Sequence, residues 1–363
     1  MSKYLSPKDF DWLLLALVLA ITGVGIMQIY STTYHTKFAG AHTKQVYWIF
    51  LGLTIMFVIS FLDYHALMDQ WPIYYLISVG MLLTVLVAGR RVFGSRRWLP
   101  VGDVHFQVSE AAKLVIILAL AKYFSQPRQE RLTTADLAKV GLLASVPMGL
   151  ILLQPDLGTA LTFVPIVVVS VFLGGLRLKH FLVLLVALAL ALPVGWHYVL
   201  KPYQKARLTT FLNPEEDPQK AGYQLLQSKI AVGSGGLWGK GTAKGTQAQL
   251  QFLPVPHTDF IFAAFAEEHG FFGVLSALLL YFLVLMRLIH NAQTAPDRAG
   301  VFIVMGVVGV LLFHILVNVG MVVGYMPVTG IPLPLMSYGG SATLFVFMSL
   351  GLVMNVRIRR FVN

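Results

Sequence analysis

Long apolar stretches succeed one another along nearly the whole chain, broken by short polar segments and by one polar segment of roughly sixty residues. A helix needs ~17–25 predominantly apolar residues to cross the hydrocarbon core of a bilayer. Stretches of that kind lie at 11–31, 46–62, 72–89, 107–124, 137–153, 159–176, 180–199, 264–289, 300–324 and 340–357. The pattern predicts an all-α polytopic membrane protein of about ten transmembrane helices, a single integral domain over 1–363. The long polar segment, 200–259, becomes a large loop between spans seven and eight. The first stretch follows Lys3, Lys8, Asp9 and Asp11 without a small-residue cleavage site, so it reads as a retained span and not as a removed signal peptide.

Composition agrees with the pattern. Of 363 residues, 57% are hydrophobic and 12% charged, where a soluble domain carries about 25% charged residues, and the mean hydropathy is +0.74. The absence of cysteine excludes disulfides and thiolate chemistry. A net charge of +11 fits cytoplasmic anchoring and contact with anionic membrane lipids; nucleic acid is not the partner it suggests.

Lys and Arg in short loops set the orientation. The terminus side holds twelve: Lys3, Lys8, Arg128, Arg131, Lys139, Arg177, Lys179, Arg287, Arg298, Arg357, Arg359 and Arg360. The opposite short loops hold six: Lys37, Lys44, Arg90, Arg91, Arg96 and Arg97. Both termini are therefore expected in the cytoplasm and segment 200–259 outside. The arginines at 90–97 run against the rule. Held outside at the membrane surface, they suit either phosphate groups, which the guanidinium fork grips bidentately, or lipid headgroup anchoring.

The 200–259 segment is patterned. Asn213-Pro214-Glu215-Glu216-Asp217-Pro218 is turn-rich and acidic. Residues 222–232 carry Leu225, Leu226, Ile230 and Val232 at helical spacing, which predicts a helix on the membrane surface. Gly233, Gly235, Gly236, Gly239, Gly241 and Gly245 follow, with Lys240 and Lys244 among them. Glycines let backbone amides approach an anion, yet no GxxxxGK[ST] pattern is present.

Candidate chemistry gathers at the predicted outer ends of spans. Asp259 closes the polar segment where the chain re-enters the bilayer; a carboxylate there is costly unless solvated, paired or working. It reads as a general base or as the N-cap of the next span. His257 and Thr258 precede it and could offer a hydrogen-bonding shell or a metal ligand, although no paired-His zinc spacing accompanies them. Glu110 and Lys113, three apart, share one helix face; they are a packing pair or the lining of a substrate cavity. Asp156 in Gln154-Pro155-Asp156-Leu157-Gly158-Thr159 reads first as a cap of the following span. The residues from Asn318 to Ser341, with Tyr325, Pro327, Thr329, Gly330, Pro332, Pro334 and Ser337 among them, read as the last outer loop, whose prolines and glycines forbid regular helix there. Irregular backbone at membrane depth is tolerated where it lines a cavity or is buried in protein.

Several segments together resemble the SEDS family of bacterial shape, elongation, division and sporulation proteins. They are Gly94-Ser95-Arg96-Arg97-Trp98-Leu99, Gln107-Val108-Ser109-Glu110-Ala111-Ala112-Lys113-Leu114, 154–159, 207–214, 222–224, 227–236, 252–260 and 327–340. The match covers essentially the whole chain in the family's order and is closer to the elongation branch than to the division branch. Val108 stands where the family usually has proline. The resemblance implies a peptidoglycan glycosyltransferase acting at the outer face of the cytoplasmic membrane. Its substrates would be lipid II and nascent undecaprenyl-diphosphate-linked glycan, and its partner a class B penicillin-binding protein. Asp259 matches the family's essential loop aspartate and would take the proton from the acceptor hydroxyl. The leaving diphosphate would need Arg96, Arg97, Arg207, Lys229, Lys240 or a divalent cation, Mg2+ or Mn2+, and no organic cofactor. Glu110 and Lys113 would line the cavity. A lipid II flippase and a non-catalytic scaffold for the crosslinking enzyme are the alternatives.

Overall fold

The computed structural model describes residues 9–92, 95–101, 104–126, 132–213 and 221–360. Gly94, Lys3, Lys8, Arg128, Arg131 and most of the acidic turn, 214–218, lie outside the described residues. The chain forms α1 (Trp12–Thr33), α2 (Ala41–Phe61), α3 (Tyr64–Asp69) and α4 (Trp71–Ala88), then three strands, β1 (Arg90–Val92), β2 (Ser95–Val101) and β3 (Val104–Phe106). It continues with α5 (Val108–Ser125), α6 (Thr134–Leu153), α7 (Leu157–Leu161), α8 (Phe163–Leu173) and α9 (Leu178–Val194), which runs into a π-turn at Gly195–Val199. The remainder is α10 (Pro202–Leu212), α11 (Ala221–Ser234), α12 (Thr246–Gln249), α13 (Ile261–Gln293), α14 (Arg298–Val323) and α15 (Gly340–Arg359).

A helix lies over each of the ten apolar stretches. Among the described residues, seven helices are long and apolar enough to cross a membrane: α1, α2, α4, α6, α13, α14 and α15. Glu110, Lys113 and Lys122 give α5 more charge than an ordinary span, and α7–α8 is interrupted at Thr162. The core of the bundle is α14 and α15, whose most apolar stretches are 72% and 78% buried, against 17% for α4. Phe50, Leu76 and Phe172 point outward, as apolar side chains do when lipid and not water surrounds the protein.

Three expectations need correction. The last outer loop starts only after α14 ends at Val323, so Asn318 and Met321 are helical, held by the apolar run that continues past them. The all-α expectation, with Arg90, Arg91, Arg96 and Arg97 in a short loop, leaves out a small sheet in that loop. It is an antiparallel sheet in the order β1-β2-β3, with Arg91 opposite Arg96 and Leu99 opposite Phe106. And 264–289 is not one continuous helix. Gly270 breaks α13 with φ +63° and ψ −163°, values open to glycine.

The glycine-rich segment before α13 repairs that break. The carbonyls of Glu267 and Glu268 accept from the backbone N–H groups of Lys240 (3.0 Å) and Gly241 (2.9 Å). On the other side of the kink, Phe271 and Phe272 donate to the carbonyls of Gly236 (2.9 Å) and Leu237 (3.2 Å). Backbone groups released by a kink are thus bonded within the protein, as the bilayer interior demands. The close approach requires glycine: a Cβ on Gly239 would stand 2.2 Å from the Glu268 carbonyl oxygen. These amides serve the helix and not an anion.

Side chains reinforce the graft. Buried Glu267 accepts from Lys240 Nζ (2.7 Å), Thr246 Oγ1 (3.0 Å) and the Gln247 amide (3.1 Å). Buried Glu268 accepts from Ser31 Oγ (2.5 Å) and Gln28 Nε2 (3.2 Å) on α1. The predicted surface helix is α11, which packs on α13 and α14. It buries Leu225 and Ala231 and exposes Leu226 and Ile230.

Candidate active site

The final turn before α13 is held by its backbone. Three successive carbonyls each have a donor: His257 O accepts from Tyr338 N (2.9 Å), Thr258 O from Ser337 Oγ (2.7 Å) and Asp259 O from Asn318 Nδ2 (2.9 Å). Ser337 Oγ in turn accepts from Leu333 N (2.9 Å), and the Asn318 amide also donates to Ile331 O (2.8 Å). The 327–340 segment and α14 therefore clamp the Asp259 segment. The segments carry strain as well: Val255 sits at φ +46° and Leu335 at φ +66°, conformations that cost a side-chain-bearing residue of order 1–3 kcal/mol.

The carboxylate of Asp259 does not cap the helix. The N-cap of α13 is Phe260, without a side-chain cap. Asp259 lies instead against Gly330, where an added Cβ would come within 3.3 Å of Oδ2. It feels the charges of Arg207 from α10, Arg97 from β2 and Asp156. Burial pushes its carboxyl above the ordinary carboxylate range, opposed by Arg207, by a hydrogen bond from Thr258 and by Arg97. A base whose proton affinity is raised by burial, with nearby arginines opposing that rise, suits removal of a proton from a hydroxyl.

Asp156 is both a cap and a partner. It accepts from Thr159 N (3.1 Å) and Thr159 Oγ1 (2.9 Å) and pairs with Arg97 Nε at 3.4 Å. Arg97 also donates from Nη2 to Pro155 O (3.1 Å). A cavity of about 30 Å³ lies between them, lined also by Gln204, Arg207 and Thr329.

Of the ion pair on α5, Lys113 is enclosed and Glu110 reaches a cavity. Lys113 Nζ is 2.9 Å from Glu110 Oε2, 3.3 Å from His314 Nε2 and 4.0 Å from the Phe345 ring centre. Lys113 is fully buried. His314 is also hydrogen-bonded to the Pro332 backbone, which ties the pair to the segment that holds Asp259. Glu110 and His314, with Ser337, border a cavity of about 10 Å³.

The structure thus brings Asp259, Arg97, Asp156, Arg207, Thr258 and Ser337 together. Arg96 lies on β2 beside Arg97. Lys240 is taken up by Glu267, and Lys229 lies across Gly324 at the end of α14, where a Cβ would meet its Cε at 1.9 Å; neither is placed among the Asp259 groups. His257 is packed between Phe38 (4.6 Å) and Tyr338 (5.8 Å), and burial pulls its ring down to about 4. It is neutral at pH 7 and supplies no positive charge. His314 escaped sequence reasoning, being a single polar residue in the apolar run of α14, and Asn318 reads from sequence only as the start of the last outer stretch, without its role as a clamp. Such residues are costly in a span, and that cost was the available signal.

Comparisons with known proteins agree along the whole length. Peptidoglycan glycosyltransferase RodA of Treponema pallidum is 35% identical, over 97% of this chain and 98% of that protein. Peptidoglycan glycosyltransferase MrdB of Escherichia coli K12 is 37% identical, over 96% of this chain and 94% of that protein. A chain in a peptidoglycan synthase complex, solved for the structural coordination of polymerization and crosslinking, superposes with a TM-score of 0.84 and 37% identity, over 98% of this chain and 99% of that one. The sequence model of the cell cycle proteins FtsW, RodA and SpoVE matches residues 11–361, and the chain belongs to that family.

Proposed function

We infer that this chain is a peptidoglycan glycosyltransferase of the bacterial cytoplasmic membrane, making glycan strands for cell elongation. The observation that carries the mechanism is Asp259, fixed through three backbone carbonyls and leaving its carboxylate beside two arginines. Asp259 takes the proton from the acceptor sugar hydroxyl. That oxygen attacks the anomeric carbon of the donor, the carbon–oxygen bond to the diphosphate breaks, and the diphosphate leaves with the bonding electrons from the opposite face, inverting the centre. Arg97 and Arg207 answer the charge that grows on the leaving group.

The substrate polymerised is lipid II, a disaccharide-pentapeptide on undecaprenyl diphosphate; the donor is undecaprenyl-diphosphate-linked, and the product is undecaprenyl-diphosphate-linked glycan. A class B penicillin-binding protein crosslinks that product; the similarity to a chain of a peptidoglycan synthase complex supports this pairing. Among the described residues no group of three His, Asp or Glu side chains is gathered to hold a metal ion; a Mg2+ or Mn2+ ion, if used, would supply neutralising charge to the diphosphate. We further propose that α5, α7–α8 and α9 complete ten spans, that both termini are cytoplasmic, and that Asp259 faces outward. Purified protein, alone and with its penicillin-binding protein, should convert labelled lipid II into glycan strands. Lipid II crossing liposome bilayers with no glycan formed would overturn the reading.

A further inference from the structure

The cavity beside Asp259 contains a polar group that the reaction above leaves idle. The Thr329 hydroxyl oxygen is buried, and among the described residues it has no hydrogen-bond partner. A buried hydroxyl without a partner is unfavourable unless a water or ligand serves it. Thr329 shares the cavity with Arg97, Asp156, Gln204 and Arg207. Its backbone is pinned: a Cβ on Gly158 would stand 2.6 Å from the Thr329 carbonyl oxygen.

A second observation concerns Asp156. Beyond Arg97, its carboxylate accepts from Thr159 N (3.1 Å), Thr159 Oγ1 (2.9 Å) and Gln107 Nε2 (3.4 Å). Arg97 can leave Asp156 without stranding a buried carboxylate. The cavity, at about 30 Å³, holds a water or two, so a larger anion enters only as Arg97 moves.

We propose that this cavity is the oxyanion subsite of the enzyme: the Thr329 hydroxyl donates to a phosphate oxygen of the donor's diphosphate, and Arg97 turns from Asp156 onto the same group beside Arg207. The proposal rests on the glycosyltransferase reading. Two guanidinium groups and one hydroxyl donor suit a phosphate oxygen, which only accepts.

Steady-state polymerisation of labelled lipid II in nanodiscs tests it, with inorganic pyrophosphate as the inhibitor. Thr329→Val keeps the shape and removes the hydroxyl. It should raise both the lipid II KM and the pyrophosphate inhibition constant about tenfold, and Thr329→Ser should bring both back to within about twofold. Unchanged constants in Thr329→Val, with wild type polymerising, overturn the subsite and leave the enzyme reading standing. No polymer from wild type overturns the reading beneath it. An effect seen only in nanodiscs of anionic phosphatidylglycerol, and absent in phosphatidylcholine, assigns the cavity to a lipid headgroup and overturns the donor assignment. Should Thr329→Val fail to fold, Arg97→Lys carries the test: losing the fork should raise the inhibition constant about tenfold, and an unchanged constant contradicts the exchange.

Discussion

At the scale of single residues, Asp259 is held by its backbone so that its side chain is left for chemistry. Burial raises its proton affinity, and the Arg207 guanidinium is the strongest influence against that rise. The carboxylate works ionised, so kcat/KM falls on the acid side as it protonates. Arg207→Gln removes the opposing charge and should move that acid limb to higher pH; an unmoved limb contradicts the coupling. The same shift has a stability sign. Folded Asp259 binds its proton more tightly than the unfolded chain does, so its contribution to stability is present below the unfolded pKa and is lost as pH rises through the folded one. Asp259→Asn should therefore raise the melting temperature in detergent at neutral pH. His257 has the opposite sense: with its folded value near 4 against an ordinary 6.5, stability falls as pH drops from about 6.5 toward 4. His257→Gln should flatten that part of the curve. Asp259, Arg97 and Arg207 were legible as isolated charges beside apolar runs. Their convergence was not, because it depends on α10 and the 327–340 segment folding over the start of α13.

At the scale of elements, the interrupted α13 and the glycine-rich segment form one unit. Gly270→Ala puts a Cβ 2.3 Å from Gly239 N at a backbone angle suited to glycine, and should reduce folded protein in the membrane to a small fraction of wild type. Lys240→Met leaves Glu267 buried without its cation. It should cost roughly 2–4 kcal/mol in denaturant titration, toward the low side for a buried pair because Lys240 is partly exposed. Unchanged stability with a loss of activity in Lys240→Met would contradict this structural role and return that lysine to the candidates for a phosphate ligand. Run length announced the helices, yet the break was illegible: one glycine in a long apolar pattern reads as tolerated. Its partners lie some thirty residues upstream, beyond the reach of local periodicity. The strands at 90–106 were missed for the same reason, since cross-strand pairing is not encoded by spacing.

At the scale of the whole molecule, α1, α13 and α15 are joined at one end by buried Asp11, which accepts from Arg287 Nε (2.9 Å) and Asn291 Nδ2 (2.9 Å) and pairs with Arg357 at 3.4 Å. The proposed topology puts this end in the cytoplasm and Asp259 outside. The chain has no cysteine, so single substitutions read the sidedness cleanly. Exposed Trp238→Cys should react with an impermeant maleimide on intact spheroplasts, and Lys139→Cys only after permeabilisation; the reverse pattern would invert the topology. The central claim is that Asp259 removes the acceptor proton. It is tested most directly by the initial rate of lipid II polymerisation by Asp259→Asn beside wild type, in matched preparations shown folded by their melting curves. The account predicts a loss of at least ~10²-fold, the scale of a missing general base. A folded Asp259→Asn enzyme that polymerises at close to the wild-type rate would contradict it.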